Sequence, residues 1–362
     1  MASNKNQHFV PRAYLKPFSQ GQSGKAINVF NIDRLCSIQN AAVKHQCSGD
    51  YFYGEDLRVE KWLQNFESRY AQMIREIHQP GYSLTVEHAT QLKKFWLIQY
   101  LRTDAASRRT VEMTTEVEDA AGVAAQQFKL NIKEAVQIAM GIFPQVEHVI
   151  DDLKICLVRN RSLQPFITSD DPAILTNRWY SYDRRTIGES PGLISAGALL
   201  LLPLSSEILC LGFDDGLHQI ITSNGWFTTK RDSDVQSFNQ HQLINCQANI
   251  YFRDWQYREQ IRSSFNAVVG KRPPVRYKIN YAVLEHENYG RKIFRAATKS
   301  EFKEGGNALI HHQAIRPVPT EWPRFLNIRA HASAYTNGTG MGYVRKAQVT
   351  RSESSEFKKI RI

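Results

Sequence analysis

Four groups of polar residues have the types and spacing that chemistry needs. The first is Gln7-His8-Phe9-Val10-Pro11, followed by Tyr14 and Leu15. A histidine beside an apolar docking segment can be held rigidly enough to act as a general base or a phosphate partner. The plainer alternative is a terminal segment anchored by Phe9, Tyr14 and Phe18, with His8 simply hydrogen-bonded. The second group is Gln99 and Arg102, which share a helix face at i, i+3. An arginine there can take a phosphate or carboxylate bidentately, or it can be an ordinary ion-paired or snorkelling side chain.

The third group is FITSDDP, residues 166–172, in which Ser169 and Asp170 end an apolar run. A strand end is a common place for working groups, and Asp170 could orient a histidine, act as base or bind a metal. A proline-closed Asx or Ser turn is the structural alternative. The fourth group is Glu60 and Glu67, seven apart on one helix side. Paired carboxylates can hold Mg²⁺, although solvated helix charges are common everywhere. The chain has no P-loop, no HExxH, no Cys/His zinc array and no GxSxG. Gly338-x-Gly340-x-Gly342 does not follow a strand in a βαβ unit and reads as a turn.

The elements that must position these groups follow from periodicity. Residues 57–77 carry Val59, Trp62, Leu63, Phe66, Tyr70, Met73 and Ile77 at helical spacing. A Gln-Pro-Gly break follows, and Thr85 caps a second helix over 86–102. Residues 111–153 continue helical, with a break expected at Phe143-Pro144. Beyond 153 the period shortens: 155–159, 166–169, 199–203, 208–213 and 249–253 read as strands separated by turns such as Asn224-Gly225. Residues 231–246 read as a helix. The expected fold is α+β, a mostly helical first half packed on a mainly antiparallel sheet. A boundary is expected near residue 270, followed by a basic C-terminal region over 271–362 whose last dozen residues fray.

The net charge of +11 is unevenly placed. Residues 255–362 carry 20 Lys and Arg against 8 Asp and Glu, a net of +12. The first 254 carry 26 against 27, a net of −1. A near-neutral body with a basic end is the footprint of something that meets phosphates, and Lys271 and Arg272 stand at the junction. A merely solubilising surface is the alternative. No apolar run approaches the ~20 residues of a membrane helix, and the first residues do not resemble a signal peptide. Five scattered cysteines predict reduced thiols and a cytoplasmic setting.

The order HFVPxxYLxxF, QYLRT, FITSDxP and LxPLSxE resembles a broad family of uncharacterised microbial proteins, the domain of unknown function 4238, over residues 7–253. HFVPRAYLKPF (8–18) and FITSDDP carry most of the resemblance. It implies recurring roles for His8, Glu67, Gln99, Arg102, Ser169, Asp170, Pro172 and, more loosely, Asn239, and it implies no established activity. The expectation is a nucleic-acid-acting enzyme, a phosphodiesterase or nuclease of the toxin or phage-defence kind. His8 would be its base or acid and Arg102 its phosphate stabiliser, with Asp170 and Glu67 orienting His8 or holding Mg²⁺. Gln7, Gln99, Ser169, Asn239, Lys271 and Arg272 would contact the substrate. The alternatives are a non-catalytic nucleic-acid- or protein-binding module and an enzyme acting on a nucleotide-like small ligand.

Overall fold

A computed structural model of the chain describes residues 5–121, 130–288, 290–304, 307–350 and 357–362. The N-terminal segment enters as a short strand, Asn6–His8, paired antiparallel with Ser48–Asp50. A single helical turn, α1 (Arg12–Leu15), follows. Its Tyr14 is fully buried, and its hydroxyl donates to Pro203 O at 2.6 Å and bonds Thr168 Oγ1 at 2.8 Å. That one phenol ties the N-terminus to two separate strands.

Two long helices carry much of the candidate site. Helix α2 (Arg58–Ile77) buries Leu63, Tyr70, Met73, Ile74 and Ile77, one stripe of its 3.6-residue period. Helix α3 (Val86–Arg102) starts where Thr85 Oγ1 accepts from the His88 amide at 3.1 Å. Its second half is buried nearly all round, with Trp96 donating to Leu201 O of the central sheet at 3.0 Å. Tyr70 of α2 stacks on Phe95 of α3 with ring centroids 3.7 Å apart. Tyr70 lies one turn beyond Glu67 and Phe95 two turns before Arg102, so this stack sets the register in which those two charged residues meet. Helix α4 (Asp104–Ala121) then runs on from α3 almost at once, and α5 (Ile132–Val146) opens with a capping box between Asn131 and Glu134. Pro144 does not break α5. It sits in the last turn, where only one intrahelical bond is forfeited, and a 3-10 turn over Glu147–Ile150 follows.

The helices pack on a five-stranded sheet ordered Trp226–Thr229, Lys154–Asn160, Ile208–Phe213, Leu199–Ser205, Ile174–Thr176. Every pairing is antiparallel except the first, which is parallel. Alternation along Leu199–Ser205 sends Leu200, Leu202 and Leu204 into the core under α3. Leu199 and Leu201 go into a second core under α6 (Asp232–Asn245). The edge strand begins after Asn224-Gly225, both at positive φ (52° and 79°), the backbone of a tight two-residue turn. A Cβ at position 225 would lie 2.4 Å from Leu84 Cβ, so glycine is required there twice over. A four-stranded antiparallel sheet, ordered Cys36–Ala42, Ala26–Asn31, Asn249–Phe252, Thr168–Ser169, lies beside α7 (Arg258–Val268), where Phe30 meets Phe265 edge-on. The α+β architecture with its mainly antiparallel sheets matches the expectation.

The segment after residue 270 is woven into this body. Arg272 and Arg276 donate to the C-terminal carbonyls of α6, from Leu243 O to Cys246 O, at 2.7–3.2 Å. Cations are favoured at that end of a helix. A three-stranded sheet (Arg291–Ala297, Tyr277–Asn288, Ala308–Ala314) follows. Further on, Asn327–Ile328 pairs with His218–Gln219 of the body. Part of the expected frayed end, residues 351–356, lies outside the described residues. Lys358–Arg361 differs from that expectation: it is a strand paired with Ser333–Thr336, held by backbone bonds that its polar sequence does not advertise. Among the described residues no helix is long and apolar enough to cross a membrane, and all five cysteines are free thiols.

Candidate functional site

Four of the predicted residues converge where the N-terminal strand crosses α2 and α3. Arg102 is completely buried at the end of α3. Its Nε donates to Gln99 Oε1 at 2.6 Å and its Nη1 to Glu67 Oε1 of α2 at 3.0 Å. Gln99 in turn donates to Phe9 O at 3.4 Å, a weak bond that fixes the amide so that its oxygen faces the guanidinium. The Tyr53 hydroxyl donates to His8 O at 3.1 Å, and Tyr53 is buried close to Arg102. Glu60 completes the group. Burial first and then the Glu67 charge raise its carboxyl above the usual range.

The electrostatics of His8 resemble those of the buried His218 and His241, whose rings are also pushed down and also carry unpartnered nitrogens, but only His8 is partly exposed and lies beside Arg102. Burial, with the Arg12 and Arg102 charges added, pushes its imidazole down to about 4, while a bond to the Lys44 backbone acts the other way. The ring is therefore neutral at pH 7. Its Nε2 is buried and has no partner among the described residues. Assigning the Lys44 backbone bond to Nδ1 gives the tautomer in which Nε2 is the unprotonated nitrogen. Arg102 Nη2 is also buried and meets no partner in hydrogen-bond geometry among the described residues, although the guanidinium is near enough to the Tyr53 hydroxyl to act on it. Leaving a buried polar atom unpaired costs about 1–3 kcal/mol, and here one unpaired acceptor and one unpaired donor belong to residues that feel each other's charge. Glu67, with 28% of its side chain exposed, and the half-buried His8 and Glu60 are the members of the group that reach solvent.

The other predicted residues are engaged elsewhere. Asp170 accepts from three consecutive amides, Gln247, Ala248 and Asn249, at 2.7–2.9 Å. Burial raises it to about 6, and those three donors oppose the rise. No hydrogen bond or ion pair among the described residues joins it to His8 or Arg102, so it clamps a turn and does not orient the histidine. Ser169 donates to Gln242 Oε1, and Asn239 brackets the chain between Pro165 O and the Ile167 amide. Gln7 is buried and bonded at both ends of its amide to Tyr53 and Gly54. Arg272 caps α6, and Lys271 is exposed in a 3-10 turn. Among the described residues no three His, Cys, Asp or Glu side chains are grouped to hold a metal ion. Glu67 and Asp170, considered together for Mg²⁺, have separate partners.

Tyr53 is not among the expected site residues; its place in the aromatic run Tyr51-Phe52-Tyr53 is the signal that could have found it. Asp171 is expected only as part of a turn. Yet Asp171 is the carboxylate that reaches the helices, accepting from Thr103 Oγ1 at 2.8 Å and from Arg109 Nη1 at 2.5 Å. A family model matches residues 6–256, from the histidine strand to just past the last strand of the four-stranded sheet. The chain belongs to DUF4238, a family of proteins of unknown function. The DUF4238 segment contains His8, Tyr53, Glu60, Glu67, Gln99 and Arg102, and most of the basic excess lies after it. Comparison with curated proteins and with solved structures finds no match.

Proposed function

We propose that the protein cleaves a phosphodiester of a nucleic acid, as a nuclease of the toxin or phage-defence kind, with His8 and Arg102 as its reacting pair. The observation that carries this reading is the pairing of a neutral imidazole having an unpartnered Nε2 with a guanidinium whose Nη2 meets no partner in hydrogen-bond geometry among the described residues. An attacking hydroxyl gives its proton to His8 Nε2 as its oxygen bonds to phosphorus. Arg102 Nη2 donates to the non-bridging oxygen where charge builds up. The leaving oxygen takes a proton as its bond breaks, and Glu60, whose burial favours the protonated form, supplies it in this scheme. Glu67 and Gln99 hold Nη1 and Nε of Arg102, so in this scheme the phosphate oxygen must reach the buried Nη2. The basic C-terminal region adds sequence-independent phosphate contacts.

The pH dependence tests this directly. A free-enzyme base at about 4 in place of 6.5 stays unprotonated until strong acid, so kcat/KM on a short RNA or DNA oligonucleotide is expected to fall only as pH drops through about 4. An acid limb centred near 6.5 contradicts His8 as the base. A second reading, a non-catalytic binding module with a structural polar network, draws on the complete burial of Arg102. Under it, the His8→Ala protein melts early and no cleavage is found in either form.

A further inference from the structure

A cleft lies near the end of α3, lined by none of the residues assigned to the proposed reaction. It is lined by Tyr100, Arg109, Asp171, Asn245, Arg276 and Arg316 together with apolar residues of 173–175 and 314–315. Three guanidiniums therefore face one carboxylate. Arg109 is committed through Nη1 alone, to Asp171. Arg316 donates through Nε to Pro191 O and through Nη2 to the Tyr100 hydroxyl, both at 2.6 Å, and its Nη1 has no partner among the described residues. Arg276 is held by carbonyls at the end of α6. Burial first, and then repulsion from Arg109, depress Arg276, with Asp171 as the opposing carboxylate. Glu112, one turn along α4, also acts on Arg109 but does not line the cleft.

We infer that this cleft is an anion site that takes a phosphate group, held between Arg109 and Arg316 with Arg276 behind. Like charges clustered about a single counter-charge are stabilised when a dianion or diester enters, and arginine forks match phosphate oxygens bidentately. The cavity is small, about 50 Å³, and partly open to solvent, room for a phosphate group with its ester directed outward. The site is built jointly, Arg109 and Asp171 from the DUF4238 segment and Arg276 and Arg316 from beyond it. It stands independently of the roles given to His8 and Arg102.

Titration calorimetry with three probes tests it: inorganic phosphate, a 5′-mononucleotide, and a short oligonucleotide with hydroxyl ends. Binding of at least one probe is expected, weakened roughly 10–100-fold in Arg316→Gln. Phosphate and mononucleotide binding without the oligonucleotide assigns a monoester, and oligonucleotide binding assigns a backbone diester. If Arg316→Gln lowers the melting temperature, Arg316→Lys replaces it. That variant keeps the charge without the fork and is expected to bind more weakly than wild type. No binding by any probe, or binding unchanged in the folded variant, overturns the inference.

Discussion

Arg102→Ala is expected to slow phosphodiester cleavage by about 10²–10³-fold, the usual loss when one preorganised donor to a developing negative charge is removed. The effect is large because the guanidinium is placed by two neighbours and buried, so water cannot take over its role at the reacting oxygen. Arg102→Lys keeps the charge but can reproduce neither the bond to Gln99 nor the one to Glu67 with the same geometry, and its rate should fall between the two. Single-turnover cleavage beside a melting curve separates chemistry from folding. Arg102 is fully buried, so its loss also leaves a void and an unpaired Gln99 Oε1, and the rates are compared at a temperature where both melting curves show folded protein. Equal rates in Arg102→Ala and wild type would remove Arg102 from the reaction.

The second large effect is on stability. Arg345→Ala is expected to destabilise the fold by about 3–5 kcal/mol, the loss typical of breaking a buried ion pair from one side. Arg345 is 2% exposed and bonds Asp152 with both arms, at 2.7 and 3.0 Å. It also donates to Leu193 O, Ser195 O and Val149 O. Removing it leaves one carboxylate and three carbonyls without that donor. The Ser195–Val344 bridge beside it is made by backbone bonds that alanine keeps, so the loss is that of the side chain's own contacts. Scanning calorimetry at a fixed rate should show a melting temperature lower by roughly 5–10 °C. An unchanged transition would mean that the C-terminal region is held without Arg345.

Much of this was legible in the chain. The aromatic and aliphatic periods of α2 and α3, with Thr85 as cap, placed Glu67, Gln99 and Arg102 on the correct helices. Heptad spacing put Glu60 beside Glu67. The Ser-Asp-Asp-Pro turn was legible as a turn but not as two opposite engagements. Adjacent carboxylates leave a strand end in different directions, so Asp170 reaches the 247–249 amides while Asp171 reaches Thr103 and Arg109. Local pattern cannot choose between them, because both partners come from distant sequence. Composition also overstated the free charge of the last third. Arg272 and Arg276 cap α6, Arg329 donates to Asp215 O and His218 O, and Arg345 serves Asp152. Arg316 joins Arg109 only through tertiary contact, so no spacing rule finds that cleft.

Incubating wild type and His8→Ala with end-labelled RNA and DNA oligonucleotides is the most direct test of the proposed chemistry, provided both proteins share a melting transition. Cleavage by wild type, abolished in His8→Ala, is the predicted result. Full cleavage by folded His8→Ala would contradict it.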